Sequence, residues 1–267
     1  MAAQLMAAYP DLWPETIRAL IVHSAEWTDA MRGQFLRANG RANKGEIENL
    51  IRRCGYGAPD LERARWSAAD SLTLIVQDRL TPFQREKGKE PKAREMHLHQ
   101  LPWPLEQLEA LAETQVEMRV TLSYFVEPNP SERGIRSRYR YESCGLRFDV
   151  RRPAESVAEF RARINAAARD EEEGTRNKGS DPDWMLGVQK RHRGSLHSDT
   201  WRGAAADLAS RGVIAVYPAL GWWKTRPALE RFDRSVRYAL LVSIRAPGVE
   251  IDLYNAVEEK ILVSVGF

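Results

Sequence analysis

The sequence predicts an α+β protein, helical over residues 1–66 and built over residues 67–267 as an antiparallel β-sandwich with helical inserts. Three observations carry this expectation. The first segment places apolar residues at helical spacing, with Pro near helix starts. From Ser71 the apolar period falls to two, in short runs separated by turn residues. Those runs are mostly apolar on one face only, which suits antiparallel sheets and not a parallel sheet buried on both sides.

Composition narrows the class further. The chain has 267 residues, 43% hydrophobic and 29% charged, which argues against collagen, coiled coil and wholesale disorder. Its 40 Lys+Arg against 37 Asp+Glu leave a net charge of +3, too small to make nucleic acid the default partner. The two cysteines, Cys54 and Cys144, cannot staple a chain of this length, so a reduced, cytoplasmic protein is expected. MAAQLMAAYP has no basic region before its apolar stretch and Pro10 closes it early, so no signal peptide is read there. No run reaches the roughly 18 apolar residues of a membrane span, and no internal repeat is found.

The first helix is under way at Met1. Ala2, Ala3, Leu5, Met6 and Ala7 leave almost no polar face, and no residue before them offers a capping side chain. Such a helix belongs inside a larger body, covered either by the β part or by a partner outside this chain; the second is the expectation. Pro14 opens a second helix, with Glu15 at its positive end and Ile17, Leu20, Ile21 and Ser24 as the inward stripe. A third helix is expected over Glu46–Arg53, closing in the turn Cys54-Gly55-Tyr56-Gly57.

The strands follow. Leu72, Leu74 and Val76 alternate with Thr73, Ile75 and Gln77. In QVEMRVTLSYFVE, Val116, Met118, Val120, Leu122, Tyr124 and Val126 share one face, and Glu117, Arg119, Thr121 and Ser123 the other. Leu146, Phe148 and Val150 repeat the pattern, as do Val236, Tyr238, Leu240, Val242 and Ile244. Further strands are expected near Met96–Leu101, Ser195–Trp201, Val213–Leu220 and Val249–Tyr254. Helical inserts are expected over Leu105–Ala112 and over Glu155–Arg169, the latter with Val157, Phe160, Ile164 and Ala168 inward. Arg85–Glu95 and Asp170–Asp183 are nearly all polar or charged and read as surface loops without packed structure.

The run AAQLMAAYPDLWPETIRALIVHSAEWT, followed by CGYGAPDLERA, resembles the end of the subtilisin-like serine peptidase (subtilase) catalytic domain. In that family the nucleophilic Ser of G-T-S-x-A opens a buried Ala-rich helix, then come a Pro-containing turn, a second helix, a G-x-G turn and a last short helix. Ala2–Ala8, Pro10, Pro14–Ser24 and Gly55–Ala64 hold those stations in that order. The resemblance implies that residues 1–66 are the helical end of a subtilase α/β catalytic domain and that residues 67–267 are a jelly-roll-like sandwich of the kind found after many such domains. It also implies that the Asp, His and Ser of the triad lie upstream of this chain, which has no G-T-S-x-A. The chain is then the C-terminal part of a larger peptidase, inactive by itself. Its partner is a protein or peptide substrate reached through the missing catalytic part. The alternative is a non-catalytic β-sandwich module that docks a protein through its helical arm.

The residues offer several other constellations, and each has a plainer reading. Ser195, His197 and Asp199 are too close along one strand to form a triad, and His197 and Asp199 are expected on one solvated strand face. His23, beside Ser24 with no GxSxG elbow, is expected on the helix surface or at the core edge. His97 and His99 project from one strand face as metal ligands can, but two ligands do not make a site, and no Cys or carboxylate cluster lies nearby in sequence to complete four. They are read as polar residues opposite Met96 and Leu98 on an edge strand. Arg133, Arg136, Arg138 and Arg140 interleave with Tyr139 and Tyr141, and Lys190, Arg191, His192 and Arg193 add a second basic run. Alternation splits the arginines from the tyrosines, as in a half-buried strand. Trp222 and Trp223 are expected in the core. No catalytic, cofactor-binding or metal residue is therefore assigned, no cofactor is expected, and neither nucleic acid nor membrane is expected as partner.

Overall fold

The computed structural model describes residues 1–36, 42–69, 73–130, 142–172 and 182–246. The Arg133–Tyr141 strand, most of Asp170–Asp183, the strand near Val249–Tyr254, and Leu72 lie outside the described residues.

Two antiparallel sheets carry the fold, with strands numbered in chain order. One has β1 (Thr73–Leu80), β9 (Val236–Arg245), β5 (Gln115–Tyr124) and β7 (Leu196–Ala204), in that spatial order. The other has β4 (His97–Gln100), β8 (Val213–Ala219) and β6 (Gly145–Val150). The alternation read from the sequence decides how they meet. Val116, Met118, Val120 and Leu122 of β5 and Leu240, Val242 and Ile244 of β9 point to one side. They join one apolar cluster with Leu146, Phe148 and Val150 of β6 and Ile214 and Val216 of β8. The two sheets thus face each other over a shared core, and the α+β class holds.

Helices cover both outer faces. Helix α1 (Ala2–Ala8), α2 (Pro14–His23) and α5 (Leu61–Ala69) lie on the four-stranded sheet, where Leu5, Ile17, Leu20 and Ala64 pack with Ala239 and Leu241 of β9. A long helix, α7 (Val157–Glu172), lies on the three-stranded sheet, with Phe160 and Ile164 against Val213, Ala215 and Tyr217. The order of layers is helix, sheet, sheet, helix. Val157, expected inward, is exposed. Among the described residues the remaining α-helices are α3 (Asp29–Phe35), α4 (Lys44–Cys54), α6 (Leu105–Ala110), α8 (Val188–Arg191), α9 (Ala205–Ser210) and α10 (Trp222–Thr225). Helix α3, which has no buried residue, carries no apolar stripe and was not expected from the periodicity.

Several expectations change. The polar side of β5 is a packing surface: Thr121 and Ser123 are buried beneath the N-terminal helices. The β part covers α1 on one side only, burying Leu5 while Met6 remains 51% exposed. The charged stretch 85–95 is not free of structure, because a two-residue pairing between β2 (Phe83–Gln84) and β3 (Lys92–Ala93) closes it. Within it Glu86 accepts from both Lys89 and Lys92. Trp222 and Trp223 are buried as expected, edge to face at 6.4 Å between ring centroids.

The turn after α4 is bound to the chain leaving α2. Glu26 and Ala58 exchange two backbone hydrogen bonds of 3.0 and 2.9 Å, and Gly57 sits beside them at φ +105°. A Cβ there would stand 2.3 Å from the Glu26 carbonyl. We expect Gly57→Ala to destabilise the chain by about 2 kcal/mol or more, read as a lower urea midpoint with an unchanged slope. A stability equal to the parent's would contradict this packing.

Candidate functional site

Among the described residues, Asp78, His97 and His99 bring three ligand-type side chains close together at the mouth between the two sheets, where β1 and β4 are edge strands of their respective sheets. On β1 the inward positions run Leu74, Val76, Asp78, Leu80, so alternation turns a carboxylate into the interior of the sandwich rim. Asp78 stands directly across from Tyr238 of β9. On β4, His97 and His99 pair with Val216 and Ile214, both core residues, and so point inward.

The four side chains meet. Tyr238 Oη lies 2.8 Å from His97 Nδ1 and 2.7 Å from His99 Nε2. Asp78 Oδ2 lies 3.0 Å from His97 Nδ1. Burial, then the neighbouring His97, lowers the pKa of His99. Burial and the Asp78 carboxylate push the Tyr238 phenol upward, so it stays protonated and donates. The edge-strand reading of His97 and His99 opposite Leu98 is correct, since Met96 and Leu98 pack on the other face against α7. What the sequence reading missed is Asp78 and Tyr238. The signal was there: a carboxylate continuing the apolar register of Leu74 and Val76.

On β7, Ser195, His197 and Asp199 form no triad. His197 Nε2 lies 2.8 Å from the Gly194 carbonyl, and the Asp199 carboxylate accepts from the Leu186 and Gly187 amides at 2.8 and 2.9 Å. Ser195, just before the strand, offers its carbonyl to Arg18 at 2.6 Å. His197 and Asp199 do share a face, but it is the buried inner one and not a solvated one. It is buried because β7 turns that face toward the second sheet. Burial pushes the His197 pKa down to about 3 and raises that of Asp199. His197 and His192 line a cavity of ≈ 230 Å³ with Tyr124 and Arg147.

The Lys190–Arg193 run is likewise drawn inward. Arg191 is fully buried, donating to the Phe148 carbonyl at 2.9 Å and standing over the Phe148 and Trp184 rings. Lys190 and Arg193 pair with Glu48, each at 2.9 Å.

His23 is neither on the helix surface nor at the core edge. It is buried where α2 lies on the sheet, with Nδ1 2.9 Å from Thr121 Oγ1 and Nε2 2.7 Å from Ser243 Oγ. Helical spacing put it one turn from Ala19 and Leu20, on a buried face wider than the apolar stripe suggested. The sheet also grips both helix ends. Gln77 Oε1 accepts from the Trp13 amide at 2.5 Å and from Thr16 Oγ1 at 2.6 Å. Arg119 donates to the Val22 and Ala25 carbonyls at 3.1 and 2.8 Å, where α2 ends.

Residues 1–57 match the family model described as the Subtilase family, so 57 of the 267 residues carry a subtilase relationship. The matched stretch holds α1 to α4 and the Gly55-Tyr56-Gly57 turn. No curated protein and no solved structure matches the chain. Asp78, His97, His99 and Tyr238 all lie outside the matched residues. Among the described residues no helix is long and apolar enough to cross a membrane.

Three fully buried histidines, His23, His192 and His197, have pKa values lowered chiefly by desolvation. Each is neutral in the folded chain and regains an ordinary pKa near 6.5 on unfolding. The unfolded chain therefore takes up protons first as pH falls. The stability tied to these groups is complete above the unfolded pKa and is lost below it, at about 1.4 kcal/mol per pH unit for each histidine. Asp199, raised by burial, acts in the opposite sense. We expect the urea midpoint to hold between about pH 8 and 7 and to fall steeply from about pH 6 to 5, with His197→Gln reducing the slope by one proton. A flat profile through that window would contradict the burial of these rings.

Proposed function

We propose that this chain is the C-terminal part of a subtilisin-like serine endopeptidase whose Asp, His and Ser lie upstream of it. The observation that carries the reading is the match of residues 1–57 to the Subtilase family. Helix α1 supports it: Ala2, Ala3, Met6, Ala7 and Ala8 are exposed around a single buried Leu5. An apolar helix left open in this way suits a surface on which the rest of a catalytic domain would pack. In the whole enzyme Ser would attack the scissile carbonyl, His would take its proton, and Asp would hold the imidazole in the correct tautomer. Residues 1–66 would support the Ser from behind, and residues 67–267 would brace the peptidase or present a protein substrate.

We assign the protein to the cytoplasm on its two free cysteines, of which Cys144 is buried with its thiol pushed up to about 12. A second reading, a non-catalytic module that docks a protein partner, draws on the His23 seam, which joins helices and sheet into one packed body.

The isolated chain is expected to leave casein intact. Extending it upstream through an in-frame G-T-S-x-A is expected to yield cleavage blocked by a serine-directed phosphonate. Met6→Asp is expected to shift the stability of the isolated chain by no more than about 0.5 kcal/mol, as at other exposed sites, yet to prevent co-purification with the upstream segment. An upstream reading frame without that motif would remove the peptidase reading, and phosphonate-sensitive cleavage by the isolated chain would remove the claim that the triad lies elsewhere.

A further inference from the structure

We propose that Asp78, His97 and His99 bind a divalent transition-metal ion, of the zinc and cobalt type, at the mouth between the two sheets. One ligand atom from each, a ring nitrogen of either histidine and a carboxylate oxygen, lies within 4.8 Å of the others. Two imidazoles and one carboxylate are a ligand set that zinc and its first-row neighbours accept, whereas calcium and magnesium take oxygen. The proposal does not rest on the peptidase reading, since all three residues lie beyond the subtilase match.

The site is built on rigid elements. His97 and His99 are alternate residues of one strand, so the backbone of β4 aims both rings the same way. Asp78 comes from the facing sheet, held in register across from Tyr238 through the β1–β9 pairing. Tyr238 is a positioning residue: its hydroxyl contacts one nitrogen of each ring, at 2.8 and 2.7 Å, and so fixes the orientation of both rings beside Asp78. The charges acting on that hydroxyl come from Asp78 and Glu95, both negative, a field that favours a cation. Entry from solvent is open, with the Asp78 side chain 46% and the His97 side chain 21% exposed.

A purely structural cluster would make the same hydrogen bonds without taking up an ion, so binding itself must be measured. The whole 267-residue chain, stripped with a chelator, is titrated with Zn²⁺ by calorimetry and with Co²⁺ by visible absorption. One ion per chain is expected, with intense cobalt d–d bands of a four-coordinate nitrogen and oxygen site. Zn²⁺ is expected to raise the thermal midpoint. His97→Gln, His99→Gln and Asp78→Asn are each expected to weaken binding by on the order of 100-fold or more, beyond the usual loss of an outer partner. Asp78→Asn keeps the test independent of folding. Its side chain is half exposed, so the circular dichroism and thermal midpoint of the metal-free chain are expected to stay as in the parent, while the Zn²⁺-dependent rise disappears. Failure of the parent chain to bind one equivalent, or parent-like affinity in Asp78→Asn, overturns the proposal.

Discussion

The seating of α2 on the outer face of the four-stranded sheet is the constraint on which the rest of the architecture depends. It is a polar junction within an apolar frame. Ile17 and Leu20 bury against Ala239 and Leu241, while His23 bridges Thr121 and Ser243, Gln77 meets the helix start, and Arg119 closes its end. Buried polar groups are costly unless every partner is present, so this seam admits one helix position along the sheet and no sliding. Arg18 extends it, donating to Ser123 Oγ at 2.9 Å and to the Tyr124 carbonyl at 2.5 Å. The helix is thereby tied to β5, to β9 and to the turn before β7.

Consequences follow for the layers beneath. With α2 fixed on one side of β5 and β9, their other side must take Val120, Leu122, Leu240 and Val242 into the sandwich, because strand side chains alternate. The second sheet completes that core, and α7 shields its far face. The two sheets are not closed into a barrel. At the β1 and β4 edges the apolar lining gives way to the part-exposed Asp78, His97 and His99, which lie against the buried Tyr238 of β9. Edge strands are where polar inward residues are tolerated, since solvent remains within reach of part of each side chain.

The subtilase relationship and the sandwich meet in the same seam. The helices of the matched region are not an appendage on the β part, because Leu5, Ile17 and Leu20 share one apolar cluster with β9. At the same time α1 keeps most of its apolar surface open.

Much of this fold was legible in the sequence, because periodicity is local. Alternation over Val116–Tyr124 and Val236–Ile244 placed two strands and their inward faces, and the stripe Ile17, Leu20 placed the buried side of α2. The turn at Gly55 and Gly57 was legible too, since both take positive φ. What the periods could not show is which outward faces would be covered. Thr121, Ser123 and His23 are polar, and only a partner element can make burial tolerable for them. His23 and Ser243 stand 220 positions apart, and no local pattern joins them. The same holds at the sheet mouth, where His97 and Tyr238 are 141 positions apart and meet from opposite sheets. Sequence alone determined most of the helices and the strand faces, through local spacing of apolar residues, and its order of motifs carried the likeness to the Subtilase family over residues 1–57. Tertiary structure decided which polar groups are buried and which converge, because strand register and sheet packing set those distances.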